Sequence, residues 1–190
     1  MPKSHGSLKP RSSPGWRQRV ADLTLVVGGA RSGKSRYAEG LVRSGPGPWH
    51  YIATAEAFDA EMAARIAQHQ IDRGPDWITH EAPRDLAPRL RGIREGRVLV
   101  DCLTLWLSNH LLAGSDPGAE TEALEAALTE HPCPITLVSN EVGWGIVPEN
   151  ALARAFRDAQ GRLNQRLAAR ADRVVTTIAG LPLALKGDLP

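Results

Sequence analysis

Short apolar runs alternate with stretches of helical spacing from residue 23 onward. Leu23–Val27 is a compact apolar run closed by glycines, and Lys34–Val42 follows it with apolar positions at helical intervals. Further strands are predicted at Trp49–Thr54, Trp77–Glu81, Val98–Cys102, Ile135–Ser139 and Val174–Ala179. Helices are predicted at Asp59–Asp72, Pro83–Ile93, Thr104–Ala113, Glu120–Glu130 and Glu149–Ala171, with a turn-rich loop over Gly114–Gly118. Strands separated by helices of this length specify right-handed βαβ units. The expected fold is therefore α/β, a mostly parallel sheet with helices on both faces. No repeat or linker interrupts the series, so residues 23–190 are expected to form a single domain.

The first 22 residues break the pattern. They are rich in Ser, Pro and Gly and carry five cations, Lys3, Lys9, Arg11, Arg17 and Arg19, against Asp22 alone, a net of +4. Such a segment buries too little apolar surface to offset its ordering entropy, and a flexible basic tail is expected. Because the whole chain is only +2, the remainder is −2. That balance argues against nucleic acid as the main partner, since phosphate-backbone binders gather Lys and Arg on the folded surface.

A chain of 190 residues with 42% hydrophobic positions can bury roughly 70% of its unfolded surface, so it needs no disulfide or structural metal to fold. Cys102 and Cys133 are the only cysteines and form no CxxC pair, which points to a reducing cytoplasm. The sequence predicts neither a membrane span nor a secretory signal, because no apolar run approaches the ~18 residues a bilayer helix needs.

Gly28-Gly29-Ala30-Arg31-Ser32-Gly33-Lys34-Ser35 fits G-x-x-x-x-G-K-S, directly after a predicted strand and opening a predicted helix. The glycines allow the backbone to wrap a polyphosphate with its N–H groups turned inward, and the helix N-terminus adds positive potential. Lys34 would reach the β and γ phosphates, and Ser35 would ligate Mg2+. Asp101 ends the strand-like run Arg97-Val98-Leu99-Val100 and resembles the second metal-side carboxylate of such sites; it could instead, or also, cap the helix predicted near Thr104.

In the predicted helix 59–72 and just beyond it, Glu61, Arg65, His69 and Arg73 recur every four residues and form one polar stripe. A histidine with an arginine one turn away on each side is held toward its neutral form, and neutral imidazole is a competent nucleophile at phosphorus. A solvated charged face explains the same stripe.

The chain resembles the bifunctional adenosylcobinamide kinase / adenosylcobinamide-phosphate guanylyltransferase family of cobalamin biosynthesis over about Leu23–Lys186. The resemblance rests on Gly28–Arg36, Tyr51-Ile52-Ala53-Thr54, Asp59–Ile66 leading to His69, Asp101-Cys102-Leu103-Thr104, Asn140–Asn150, and the later Arg154, Phe156-Arg157-Asp158, Gly161 and Asn164-Gln165. It implies a P-loop NTPase-type fold and two steps. The γ-phosphoryl of ATP or GTP passes to the aminopropanol hydroxyl of adenosylcobinamide. GMP then passes from GTP to adenosylcobinamide phosphate, giving adenosylcobinamide-GDP and pyrophosphate. In this chain the histidine that carries GMP in the family falls on His69. The resemblance also implies that Ala53, Thr54, Ala55, Gln70, Ile71, Asp72, Arg73 and Glu81 contact GTP, and that the protein is a homotrimer with sites near subunit boundaries. Glu81 could accept from the N1–H and N2–H2 edge of guanine, or be simply an exposed acid at a strand end. Asn140–Pro148 reads either as a corrinoid-binding or closing loop or as a turn at a subunit interface.

Two other readings share the P-loop and Asp101. One is a kinase or nucleotidyltransferase of a single activity, in which His69 only contacts phosphate. The other is a recombinase-like motor or nucleotide-dependent regulator, which the acidic body and the lack of a basic, aromatic strand-binding loop oppose.

Overall fold

The computed structural model describes residues 22–189 apart from 58, 59, 61, 62, 65, 66, 69, 70, 72 and 73. Its elements run β1 (Leu23–Gly28), α1 (Lys34–Arg43), β2 (Trp49–Ala53), β3 (Trp77–Glu81), α2 (Leu86–Gly92), β4 (Arg97–Asp101), α3 (Leu103–Leu112), α4 (Pro117–Glu130), β5 (Ile135–Asn140), α5 (Ala151–Arg170), β6 (Arg173–Ile178) and β7 (Leu181–Lys186). The seven strands lie in the order β3-β2-β4-β5-β1-β6-β7. Every pairing is parallel except β6 with β7.

All six residues of β1 are buried, as expected of a central strand covered on both faces. Alternation divides them. Leu25 and Val27 join Ile52, Val98, Val100, Leu137 and Val174 beneath α2, α3, α4 and α5, whose Leu90, Trp106, Leu124 and Leu163 complete the larger core. Val26 faces the opposite side with Tyr51, Leu99 and Val138, against Ala38 and Val42 of α1. Each fully buried leucine here contributes roughly 1.5–3 kcal/mol relative to an exposed one. The predicted layers, a mostly parallel sheet with helices on both faces, are those observed.

Several boundaries moved for identifiable reasons. Residues 117–118, assigned to a loop by sequence, begin α4: Asp116 accepts a hydrogen bond from Gly118 N, and Pro117 occupies the first turn, where its missing N–H costs nothing. The predicted helix Pro83–Ile93 narrows to Leu86–Gly92. α5 starts at Ala151 because Asn150 accepts from Leu152 N and Ala153 N. β7 was not predicted at all. Asp22, placed at the end of the tail by sequence, adjoins β1 and is held to the sheet: its carbonyl accepts from Ile135 N at 3.0 Å, and its carboxylate lies 3.6 Å from Arg173. The rest of the expected tail, residues 1–21, lies outside the described residues.

Two polar devices stiffen the layers. Glu125 of α4 receives both Arg166 Nε at 2.9 Å and Arg166 Nη2 at 2.7 Å from α5, with Arg170 adding a third contact at 3.3 Å. The Arg166 hydrogen bonds hold the Glu125 carboxyl below its ordinary range despite burial. Between β2 and β3, His50 Nδ1 lies 2.9 Å from His80 Nε2 with the rings stacked. One ring must donate and the other accept, so the pair shares one proton. Burial lowers the proton affinity of both, and each feels a nearby charge, Glu95 raising His50 while His50 and Arg89 lower His80.

Candidate active site

The loop after β1 is built so that its first glycine is sterically obligatory. A Cβ at Gly28 would lie 2.6 Å from Ser32 Oγ, 2.7 Å from Thr177 Oγ1 and 2.8 Å from the Thr177 carbonyl. Those two hydroxyls hydrogen-bond each other at 2.8 Å, which closes the loop onto the end of β6. The turn after β6 completes the clasp, with Gly180 N donating to the Ser32 carbonyl at 3.0 Å. On the other side Glu141 N donates to the Gly28 carbonyl at 3.1 Å. Gly33 takes the left-handed conformation, φ 92°, and leads into α1, while a Cβ at Gly29 would meet nothing within 4 Å. Gly29, Ala30 and Arg31 are exposed, leaving the inner rim open to a ligand. Lys34 folds across this rim and donates to the Gly29 carbonyl at 3.4 Å.

Asp101 ends β4, two strands from β1. Like Leu99 it points to the side of the sheet that α1 covers, the side from which Lys34 and Ser35 begin their helix. Tyr51 Oη donates to Asp101 Oδ2 at 3.0 Å and orients the carboxylate. Asp101 does not cap α3: that helix begins after Cys102, without a side-chain cap. The Cys102 thiol is pushed up to about 11, by burial first and then by Asp101, so it is not a nucleophile at neutral pH.

Ser35 and Asp101 are hard oxygen donors. Among the described residues no group of three His, Cys, Asp or Glu could hold a metal ion. This donor set suits Mg2+, which takes one or two protein oxygens and completes its shell with phosphate oxygens and water.

The other sequence-derived candidates are distributed unevenly. Ala53 ends β2, and Thr54 and Ala55 follow it. Thr54 is fully buried, and its hydroxyl both donates to the Cys102 carbonyl at 2.7 Å and accepts from Cys102 N at 2.8 Å. Its main-chain carbonyl receives Asn109 Nδ2 at 2.8 Å, so Thr54 ties the end of β2 to Cys102 through its side chain and to α3 through its backbone. Glu81 is exposed at the end of β3, in register with Ala53. His69, Gln70, Asp72 and Arg73 lie outside the described residues; the described positions of the predicted helix 59–72, including the exposed Ile71, are helical.

The structure adds residues that sequence reasoning missed. Thr177 and Gly180 complete the loop clasp, and their sequence signal is a Thr-Thr pair late in β6 followed by Ile-Ala-Gly. Ser139, Gln160 and Asn164 form a buried polar network beneath the end of β5. Asn164 was noted only as part of a motif.

A clasped glycine-rich loop with its lysine and serine at a helix N-terminus, and a carboxylate on the same side of the sheet, defines a nucleotide-dependent P-loop protein. Comparison with known proteins narrows this. The family model described as cobinamide kinase / cobinamide phosphate guanyltransferase matches residues 24–185. The bifunctional adenosylcobalamin biosynthesis protein CobP of Pseudomonas aeruginosa is 52% identical over 169 residues, covering 86% of this chain and 97% of its own. The bifunctional adenosylcobalamin biosynthesis protein CobU of Salmonella typhimurium is 43% identical over 187 residues, covering 86% and 99%. Among solved structures, the flagellar accessory protein FlaH from Methanocaldococcus jannaschii aligns over 88% of this chain and 79% of its own, with a TM-score of 0.47 and 12% identity, a likeness too distant to bear on function. The chain belongs to the cobinamide kinase / cobinamide phosphate guanyltransferase family and is an enzyme of two activities. The single-activity and recombinase-like readings fall away with that membership. No described helix is long and apolar enough to cross a membrane.

Proposed function

We propose that both activities use one nucleotide cradle and diverge at His69, serving adenosylcobalamin biosynthesis as in the named relatives. The supporting observation is that the clasped loop Gly28–Ser35, Asp101 and Glu81 all lie at the carboxyl ends of parallel strands, where open α/β sheets bind ligands. β3 stands four strands from β1, about 19 Å at ordinary strand spacing, a span an extended GTP can cross with its polyphosphate on the loop and guanine toward Glu81. Ala53, Ala55 and Ile71 would flank the nucleoside, with Gln70, Asp72 and Arg73 beside it.

In the first step the aminopropanol hydroxyl of adenosylcobinamide takes the γ-phosphoryl group, with Lys34 and the loop N–H groups balancing the charge on the phosphates. Ser35 and Asp101 would hold Mg2+, which when bound neutralises charge on the phosphate oxygens. In the second step the neutral His69 imidazole attacks the α-phosphorus of GTP and pyrophosphate leaves. The phosphate of adenosylcobinamide phosphate then takes GMP from His69. Passing GMP through the protein means that two bulky anions need not occupy the site together.

The exposed Trp144, Ile146 and Val147 give the loop after β5 an apolar surface suited to a corrin ring. Homotrimeric assembly fits the exposed apolar row Leu181, Leu183 and Leu185 on β7, and sedimentation at the mass of three chains tests it. The two buried, free cysteines fit a reducing cytoplasm.

Incubation with Mg2+ and GTP labelled at the α position tests the covalent step. The expected result is acid-labile, alkali-stable label on the denatured protein, lost in His69→Ala while phosphorylation of adenosylcobinamide persists. Full GMP transfer by His69→Ala would overturn the assignment.

A further inference from the structure

Of the three displacements in the proposed sequence, only one begins from a group that must lose a proton. Neutral imidazole attacks phosphorus through a lone pair, and a phosphate monoester is already an anion near pH 7 because its second pKa is about 6. The alcohol of the phosphoryl acceptor is neither. The kinase step therefore calls for a general base near the γ-phosphate, and none of the residues assigned so far fills that role.

Among the described residues three carboxylates end or directly follow a strand at this rim, at very different places. Glu81 ends β3, about 19 Å from β1 at ordinary strand spacing, and is placed toward guanine. Asp101 ends β4, about 10 Å from β1, and is oriented by Tyr51 toward the metal side. Glu141 follows β5, the immediate neighbour of β1, and its N–H donates to the carbonyl of Gly28, the first residue of the phosphate loop.

The backbone leading to Glu141 is fixed from both sides. Asn140 N donates to Thr104 Oγ1 at 2.8 Å, and the Asn140 carbonyl receives Asn164 Nδ2 at 3.0 Å. Asn164 is locked in turn: its Oδ1 accepts from Ser139 Oγ at 2.7 Å and from Gln160 Nε2 at 3.0 Å, all within the core. Four buried polar side chains, Thr104 and Asn164 directly and Ser139 and Gln160 through Asn164, thus hold the Asn140 backbone at the mouth of the loop. The Glu141 carboxylate itself is partly exposed, and its Oε1 receives Gly143 N at 3.3 Å, a long hydrogen bond that a substrate can displace. The apolar residues Trp144, Ile146 and Val147 follow directly, so acidic group and apolar surface share one loop.

We propose that Glu141 is the general base of the phosphoryl-transfer step, with Asn164 as its positioning residue. The acceptor oxygen forms a bond to the γ-phosphorus as its proton passes to a Glu141 carboxylate oxygen. The bond from that phosphorus to the β,γ-bridging oxygen breaks, and the nucleoside diphosphate leaves with the electron pair. The proton then leaves Glu141 for solvent. This assignment rests on the two-step reading above, and its signature is that only one of the two activities needs the group.

Single-turnover transfer from γ-labelled nucleotide to adenosylcobinamide is measured beside retention of α-label from GTP, for wild type and for the isosteric Glu141→Gln. The expected result is a kinase kcat lower by about 10²–10⁴-fold. Nucleotide affinity, α-label on the protein and GMP transfer to supplied adenosylcobinamide phosphate should stay within about threefold of wild type, which a merely structural role would not allow. A kinase loss below about tenfold, or a parallel loss of guanylylation or nucleotide binding, would overturn the proposal. Absence of α-label from wild type would instead sink the His69 reading and leave the kinase comparison intact.

Discussion

The carboxyl rim of the sheet is held in two different ways. Around β1 the phosphate loop is clasped from both flanks, by Glu141 N on one side and by Thr177 and Gly180 on the other, with no space for a Cβ at Gly28. At the far side Glu81 stands exposed on β3, an edge strand with a single neighbour. The polyphosphate binding proposed to serve both activities sits where register and packing leave no play. The part proposed to select guanine sits where one side chain can change without disturbing the core.

Lys34→Ala should produce the largest effect, because it removes charge from the shared region. Both phosphoryl transfer and protein-bound GMP are expected to fall by on the order of 10²–10³-fold or more, read by γ- and α-label assays on one preparation. Loss of one activity alone would show that the cradle is not shared.

Glu81→Gln should sharpen the contrast from the other side. Replacing a carboxylate proposed to accept two hydrogen bonds from guanine is expected to cost guanylylation about ten- to a hundredfold in kcat/KM for GTP, about 1.5–3 kcal/mol, while the kinase step with ATP is unchanged. An equal loss in both reactions would place Glu81 in the shared region.

The smallest effect concerns how the edge is held. The folded pKa values of His50 and His80 lie below the ordinary histidine value of about 6.5, so at lower pH the unfolded chain binds more protons than the folded one. The stability this pair contributes is complete above pH ~6.5 and declines as pH falls through the lowered folded values. Thermal melts from pH 7.5 to 5 should show a decline that His80→Gln reduces. An unchanged slope in that variant would remove the pair from the account.

The same contrast explains what could be read in the sequence. Strands β1 to β6 lie within a residue of their predicted limits, because apolar runs between helices of regular spacing have one packing solution in a parallel sheet. β7 was missed because Leu181, Leu183 and Leu185 alternate outward instead of inward, and Pro182 reads as a breaker; an edge strand accommodates it because one side needs no ladder. The phosphate loop was legible as a motif, since the chemistry dictates contiguous residues. Its clasp was not, because Thr177 approaches Ser32 across 145 residues and no local pattern encodes that meeting. Asn164, Gln160 and Ser139 were opaque for a related reason: polar residues on a helix and a strand ordinarily suggest solvent, and only their mutual satisfaction allows burial.

The distance along the chain between Ser32 and Thr177 also bears on how the enzyme is made. Closing so long a loop adds little to the thermodynamic cost, since that cost grows only with the logarithm of length. Its weight is in timing. Synthesis delivers the glycines of the loop well before β6 and the Gly180 turn that grip them, since Ser32 and Thr177 are 145 residues apart. A nascent chain that already displays the whole motif therefore lacks its grip until β6 and the turn after it have emerged.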